Sequence, residues 1–267
     1  MRELPVLPVR GDVRGLGLPL PPGRMPAFDR GRPLKRWRYL GVYRPDVMLC
    51  VGVARVAGMP QRWWAVALPD GRLFEGSRGV ALDARRARVR GLLDVELGPP
   101  AGVEVVSPHG HSYIWTTKLA PVRVRGRLTA GGREFELDGD DGFMDESAGY
   151  HQRHTAWRWS AGIGRAADGR AVAWNLVDGV HDAVENSERT LWIDGAPREL
   201  PPQEFADDLS RVGELDFREW SARESNRNLV VMRNRYRQPF GEFSGTLPGG
   251  LALAEGHGVM EEHDVLW

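Results

Sequence analysis

The sequence contains very little cysteine and lysine. Cys50 is the only cysteine among 267 residues, so no disulfide can form within the chain, which suits a reducing compartment. It lies in the apolar run 47–53 and is interpreted as a buried structural thiol rather than a nucleophile. Lys35 and Lys118 are the only lysines among 36 basic residues, a bias that we attribute to the codon usage of a GC-rich genome.

Several protein classes are disfavoured by what the chain lacks. No apolar run reaches the roughly 18 residues of a membrane span, and the proline-rich start has no signal-peptide core, so we expect a cytoplasmic protein. The 36 basic residues balance 36 acidic ones, which argues against a nucleic-acid partner. Walker, GxGxxG and GxSxG motifs are absent, so nucleotide, dinucleotide and hydrolase chemistry have no support, and we expect no cofactor.

Short strand-like runs separated by turn residues dominate the chain. Asp168-Gly169 and Asp194-Gly195 are typical hairpin turns. The one helical candidate is 202–209. Strands are predicted over residues 37–42, 47–53, 63–68, 103–106, 122–128, 134–137, 155–161, 171–176, 190–193, 215–222, 230–236, 242–246 and 258–263.

This pattern predicts an all-β protein with two antiparallel barrels in tandem. We expect an extended arm over residues 1–30, a first barrel over 31–137 and a second over 138–267. A single large sandwich would give a similar pattern and stays open.

The segment 139–164 has the highest density of chemistry-bearing side chains. Asp140 and Asp141 are interpreted as a turn. Alternation places Phe143 and Asp145 on one strand face. If that face lines a cavity, burial would raise the pKa of Asp145 and make it a general acid; a structural hydrogen-bonding role is the alternative.

The histidines are candidates for proton relay more than for metal binding. His151 and His154 have a spacing that does not match a strand face, and no known metal motif is present, so no metal is predicted. His154 or His111 would set the protonation state of Asp145. A structural role is the alternative for each of them. Glu261 lies on a polar strand with His257 and His263 and is a further catalytic candidate.

The aromatic residues can form either a core or the walls of a pocket. Trp157 and Trp159 share one strand face, and Tyr113 and Trp115 share another with His111. Core packing is the alternative reading for each pair. Phe143 and Asn175 complete the predicted substrate-binding set.

Four strings in the chain resemble a bacterial family called domain of unknown function 2804. They are RPLKRWRY (32–39), DESAGYHQRHTAWRWS (145–160), WNL (174–176) and GHGVMEEH (256–263), and the resemblance extends almost from end to end. It implies no established activity.

A more remote resemblance is to tandem lipocalin-like (calycin) proteins that include carotenoid 1,2-hydratases, tocopherol cyclases and lipocalin-type Diels–Alderases. It implies that the two predicted barrels are lipocalin-like (calycin) antiparallel barrels. Phe143-Met-Asp145, Ala148-Gly149, Trp157-Arg-Trp159 and Gly256-His-Gly258 with Glu261 stand for the motifs of that group. The hydratase resemblance implies that Asp145 protonates an alkene and that water captures the cation. Phe143 lacks the tyrosine hydroxyl of the group, and Ala148 replaces a tryptophan.

These patterns favour an enzyme that acts on an apolar, isoprenoid- or polyketide-like molecule by acid-initiated hydration, cyclisation or isomerisation. A carrier that binds a hydrophobic ligand without reaction is the alternative. The only predicted partner is the small-molecule ligand.

Overall fold

The fold is built from antiparallel β-strands. The structure is a computed structural model that describes residues 5–99, 101–229 and 232–267. Among these residues the single helical element is the 3₁₀ turn Arg14–Leu16, and no helix has the length and apolar character needed to cross a membrane.

The first half of the chain forms one large antiparallel sheet. Its order is β7-β6-β5-β4-β13-β12-β10-β9-β8, with β11 paired to β12 and β1 paired to β11; β2 and β3 pair only with each other. The strands are β1 Val9–Arg10, β2 Phe28–Asp29, β3 Arg32–Pro33, β4 Lys35–Tyr43, β5 Met48–Val56, β6 Met59–Ala67, β7 Leu73–Gly76, β8 Val80–Leu82, β9 Arg86–Val89, β10 Leu93–Leu97, β11 Gly102–His109, β12 Ser112–Ala130 and β13 Arg133–Gly149.

The second half forms another antiparallel sheet, in the order β17-β16-β15-β14-β21-β20-β19-β18. Its strands are β14 His154–Ala166, β15 Ala171–Asp178, β16 Thr190–Ile193, β17 Ala196–Glu199, β18 Arg211–Val212, β19 Leu215–Leu229, β20 Met232–Leu247 and β21 Leu251–Leu266. The predicted all-β class with two antiparallel units in tandem is therefore confirmed. The first sheet ends at Gly149 and the second begins at His154.

Period-two alternation gives each sheet two apolar faces. One face of the first sheet surrounds a core that includes Leu40, Val66 and Met144, and one face of the second surrounds a core that includes Trp174 and Leu215. The opposite faces meet in a third, shared core, which contains Tyr39, Phe143, Trp159, Trp192 and Phe240. The two sheets therefore pack against each other through aromatic side chains.

The N-terminal arm packs on the first sheet. Val13, Leu20 and Met25 are buried against Trp115 and Tyr150, and β1 pairs with β11. Arg10 also reaches the second half of the chain, where it donates to the Ser187 carbonyl at 2.6 Å and to Thr190 Oγ1 at 3.0 Å. The arm thus joins the two sheets.

Some local predictions differ from the structure. The helix predicted over 202–209 is wrong: this segment is irregular, because Leu209 has a left-handed φ of 62° and is buried with Phe205 against the second core. The turn predicted at Asp140 and Asp141 is also wrong, because β13 continues through both residues. Most strands are longer than predicted. One strand was predicted over residues 230–236, and its first two positions, 230 and 231, lie outside the described residues.

The hairpin turns are as predicted. Gly169 has a φ of +89° between β14 and β15, and Asp194 and Gly195 have φ of 48° and +79° between β16 and β17. Positive φ at both central residues is the type I′ conformation that suits a two-residue hairpin.

Candidate active site between the two sheets

A cavity of about 400 Å³ lies between the two sheets. Most of its wall is aromatic or apolar, and a small number of charged side chains project into it, which is the usual character of a small-molecule site. The lining residues used below are Trp37, Trp63, Lys118, Asp145, His151, Trp157, Trp159, His181, Glu188, Tyr236, Glu261, His263 and Trp267.

Strand alternation places the polar residues of the first sheet on this wall. In β12 and β13, Lys118 and Asp145 are direct cross-strand partners, and Asp145 is in turn opposite Tyr39 of β4. Side chains at cross-strand positions point to the same face. Because Lys118 is one of these partners, its ammonium group is directed at the Asp145 carboxylate rather than at solvent.

Lys118 connects two buried carboxyl groups. Its Nζ lies 2.6 Å from Asp145 Oδ1 and 3.2 Å from Glu188 Oε1, and all three side chains are almost completely buried. Trp37 Nε1 donates to Asp145 Oδ2 at 3.0 Å. An ammonium and an indole N–H can only donate, so both contacts favour the ionised carboxylate of Asp145.

We call Lys118, Asp145 and Glu188 the triad. Their charges sum to zero when one of the two carboxyls is protonated. Burial alone would lower the pKa of Lys118, but Asp145 and Glu188 outweigh it and raise that pKa. Burial raises the pKa of Glu188 to about 7, with Lys118 opposing the rise and Asp145 adding to it. One ammonium between two carboxyls is neutral only when one carboxyl is protonated, and the shorter contact of Lys118 with Asp145, 2.6 Å against 3.2 Å with Glu188, favours Glu188 as the site of that proton.

Glu261 is a second buried acid in the same cavity. It accepts hydrogen bonds from Trp157 Nε1 at 2.8 Å, Tyr236 OH at 3.1 Å and Gln238 Nε2 at 2.9 Å. None of these donors is a cation. Burial raises the pKa of Glu261 to about 7, against the hydrogen bonds from Trp157 and Tyr236. At neutral pH a large fraction of this carboxyl is therefore protonated and able to act as an acid.

Two histidines of the wall are held in the neutral form. Burial and the neighbouring Lys118 lower the pKa of His181 well below its usual value, and burial and His109 do the same for His151. Ser107 Oγ lies 2.8 Å from His181 Nδ1. The other ring nitrogen, Nε2, is buried and has no hydrogen-bond partner in the part of the chain that the structure describes. This nitrogen is available to a ligand oxygen or proton.

Four of the ten predicted site residues line the cavity, and two more lie behind its wall. Asp145, Glu261, Trp157 and Trp159 line it. Asn175 stands directly behind the wall, where its Oδ1 accepts from Trp159 Nε1 at 2.7 Å and its Nδ2 donates to the Glu188 carbonyl at 2.9 Å. Phe143 lies beneath Trp159, with ring centroids 5.8 Å apart.

The other four predicted residues are elsewhere. His154 is exposed and contacts Asp264 through Nε2 at 2.9 Å, and His111 is exposed in the turn between β11 and β12. Tyr113 and Trp115 pack under the N-terminal arm, because they point to the opposite face of β12 from Thr116 and Lys118. The structure therefore does not bring a relay histidine from positions 111 or 154 to Asp145.

Lys118, Glu188 and His181 were not predicted as site residues. The sequence did carry a signal for Lys118, because lysine is rare in a chain otherwise rich in arginine. In the structure both lysines are buried, at 1% exposure for Lys35 and 4% for Lys118. Glu188 and His181 belong to the segment 179–189, which is polar like any surface loop. Its folded position over the cavity depends on tertiary contacts, such as those of Arg189 with the Asp182 and Leu200 carbonyls.

No metal cluster is formed by the part of the chain that the structure describes. No three His, Cys, Asp or Glu side chains are grouped there so that they could share an ion. Cys50 is fully buried, and burial raises its pKa to about 12, in keeping with the structural thiol predicted for it.

Comparison with known families gives one match. The family described as Domain of unknown function (DUF2804) matches residues 72–267, which confirms the resemblance given above. Three of the four strings lie inside the matched region, and the string at 32–39 lies outside it. No curated protein matches the sequence.

Comparison with solved structures gives distant likenesses. A protein of Nitrosomonas europaea provisionally described as AttH is 12% identical, with a TM-score of 0.46 and coverage of 91% of this chain and 98% of that one. Kievitone hydratase from Nectria haematococca is 10% identical, with a TM-score of 0.44 and coverage of 85% and 88%. CghA with Sch210972 is 12% identical, with a TM-score of 0.42 and coverage of 97% and 98%.

Proposed function

This chain belongs to the DUF2804 family, whose description names no reaction, and we propose from the site itself that it is an enzyme acting on an apolar small molecule. The observation that carries the proposal is the presence of two buried carboxyls, Glu188 and Glu261, with pKa values raised to about 7 in one tryptophan-lined cavity. Acids poised near neutral pH inside an apolar pocket are arranged for proton transfer.

Glu261 is the proton donor in this proposal. Its hydrogen-bond partners are neutral, whereas Glu188 lies 3.2 Å from the Lys118 ammonium, which stabilises its ionised form. Asp145, the donor that the sequence suggested, is bound to an ammonium and an indole N–H and therefore acts as an ionised, positioning group.

The reaction is acid-initiated addition, cyclisation or isomerisation of an isoprenoid- or polyketide-like substrate. The Glu261 proton adds to one carbon of a double bond, and the neighbouring carbon becomes cationic. Trp157 and Trp159 line the cavity, and an aromatic wall of this kind favours a nearby cation. In a hydration, water adds to the cation and loses a proton. In a cyclisation, a second double bond adds and the new cation loses a proton from an adjacent carbon. In an isomerisation, a carbon next to the first cation loses the proton. The released proton returns to a carboxylate of the site, so no redox cofactor is needed.

The test is mass spectrometry of small molecules that copurify with the protein from its native organism. Wild type is compared with Glu261→Gln, which keeps the shape of the side chain but cannot donate a carboxylic proton, and with Glu262→Gln as a matched control on the outer face of β21. We expect a hydrated, cyclised or rearranged product with wild type and Glu262→Gln, and the unreacted precursor with Glu261→Gln. The same unaltered molecule on all three proteins would establish the carrier function instead.

A further inference from the structure

A buried ammonium without a counter-ion among the described residues stands behind one end of the cavity wall. We call the basic end the group formed by this residue, Lys35, together with Arg32 and the neutral histidines His109, His151 and His181. Lys35 is 1% exposed, its Nζ contacts the His151 carbonyl at 3.4 Å, and it lies 4.8 Å from the centroid of the Trp267 ring. His151 and Trp267 both line the cavity, so Lys35 stands one side chain behind its wall.

Lys35 differs from Lys118 in having no counter-ion. Within the described residues no carboxylate oxygen lies within 4 Å of Lys35 Nζ, whereas Lys118 has two. A buried ammonium without a partner is energetically costly, and it either loses its proton or acquires an anion. Burial and the neighbouring Arg32 lower the pKa of Lys35 to about 8, so at neutral pH the group is still largely charged.

The neutral histidines near Lys35 add ring nitrogens that no protein group engages. The rings of His109 and His151 have centroids 5.4 Å apart, and His109 Nε2 is buried with no hydrogen-bond partner among the described residues. His181, whose Nε2 also lacks a partner, continues this series toward Lys118. Asp182 is the one acid that acts on His109, and its Oδ2 is engaged by the Gly179 N–H at 2.8 Å.

We infer that the basic end binds a carboxylate of the ligand, so that the substrate class of the site is an apolar molecule carrying one carboxylate group. The His181 ring N–H donates to the carboxylate, and Lys35 supplies the compensating charge through the wall. The apolar body then lies along Trp37, Trp157 and Trp159, in the direction of Glu261. This inference builds on the proposed function by naming its substrate class, but it can be tested without turnover.

The test compares decanoate with 1-decanol, two probes that share an apolar chain and differ in the head group. Binding at pH 7 is followed by the fluorescence of the cavity tryptophans. We expect wild type to bind decanoate at least about tenfold more tightly than decanol, which corresponds to about 1.4 kcal/mol. Equal affinity, preference for decanol, or no decanoate binding at millimolar concentration would overturn the inference.

Two variants locate the effect. Lys35→Met should remove the preference for decanoate and leave decanol binding unchanged, which also shows that the cavity is intact. Arg36→Met is the matched control, because it removes a neighbouring exposed cation from the opposite face of β4, and it should retain the preference. If Arg36→Met lost the preference and Lys35→Met retained it, the basic end would be the wrong site.

The outcome is separable from that of the proposed reaction. Glu261→Gln should retain the decanoate preference because Glu261 is not part of the basic end. A wild type that prefers decanoate but never holds a transformed product would leave the carboxylate subsite standing and remove the enzyme proposal. Product formation without any preference for decanoate would leave the enzyme proposal standing and remove the carboxylate subsite.

Discussion

Lys118 Nζ lies 2.6 Å from Asp145 Oδ1, and these two residues are directly paired positions of neighbouring strands. The pair is buried and shares its ammonium with Glu188 at 3.2 Å. A buried ion pair of this kind adds less stability than its short distance suggests, because both ions have lost their hydration. Its clearest consequence is chemical: the Asp145 carboxylate is occupied as the acceptor of the Lys118 ammonium, which leaves the acid role to a different carboxyl of the cavity.

Removing Lys118 should destabilise the protein strongly. Lys118→Met leaves Asp145 and Glu188 buried without a cation, for which we expect a loss of about 3–5 kcal/mol in the free energy of unfolding, measured by urea denaturation. Arg123→Met is the control: its pair with Asp138 has the same 2.6 Å separation but more than half of each side chain exposed, so the change should stay below about 1 kcal/mol. Similar losses in both variants would contradict the triad.

The stability contributed by Glu261 should fall as pH rises. Its pKa in the folded protein is about 7, against an ordinary value of 4.5. A carboxyl with a raised pKa binds its proton more tightly in the folded state, so the folded protein is favoured at low pH. That advantage is lost between about pH 4.5 and 7, and it amounts to about 3 kcal/mol. Glu261→Gln stays neutral and should gain this amount relative to wild type when the pH is raised from 4.5 to 8.

Glu262→Gln provides the comparison for that titration. Glu262 is the next residue of β21, faces the other way and lies 3.6 Å from Arg235. The free energy of unfolding of the Glu262→Gln variant should have the same pH dependence as that of wild type. The assignment of the acid to Glu261 would be contradicted if the two glutamine variants had the same pH profile.

The exposed histidines should have no influence on ligand binding. His154→Ala and His111→Ala remove side chains that lie outside the cavity, so we expect decanoate affinity within about twofold of wild type. His181→Phe replaces a wall residue whose Nε2 has no protein partner, and it should weaken decanoate binding about tenfold, as expected for the loss of a hydrogen bond to a charged group. A larger effect at position 154 than at 181 would favour the relay that the sequence suggested.

Gly52 is needed for the position of Trp63 at the cavity wall. A Cβ atom at residue 52 would lie 2.1 Å from the Trp63 ring, so Gly52→Ala must displace the indole. Overpacking of this kind costs about 1–3 kcal/mol, and we expect altered affinity for decanol as well as for decanoate. Gly15→Ala is the control, since the nearest heavy atom to its new Cβ is 3.8 Å away; thermal unfolding and the fluorescence assay measure both variants.

The predicted residues that lie at the cavity are those whose position is decided by period-two alternation. Asp145 and Phe143 share a face, as do Trp157 and Trp159, because strands direct alternate side chains to the same side. Alternation does not say which strand faces which cavity. Tyr113 and Trp115 were selected on β12 for their aromatic character, but the N-terminal arm covers that face, and Lys118 on the other face lines the cavity.

Long-range contacts account for the remaining differences. Glu188 is buried because the segment 179–189 folds over the cavity, where the Asn175 amide and the Lys118 ammonium meet it. A polar loop that closes a site and a polar loop in solvent have the same composition, so local sequence cannot distinguish them. The pairing of His181 with Ser107, 74 positions earlier in the chain, is likewise a product of the tertiary fold.

The burial of both lysines has a consequence for the surface of the folded protein. With Lys35 and Lys118 enclosed, the side chains of the native molecule present guanidinium groups to solvent but no primary amine. An acylating reagent applied to the folded protein would therefore find no lysine amine at the surface. Acylation of Lys35 and Lys118, detected as two acyl additions in the protein mass, would show that the space between the sheets has opened. The extent of lysine acylation is therefore a direct measure of sheet separation.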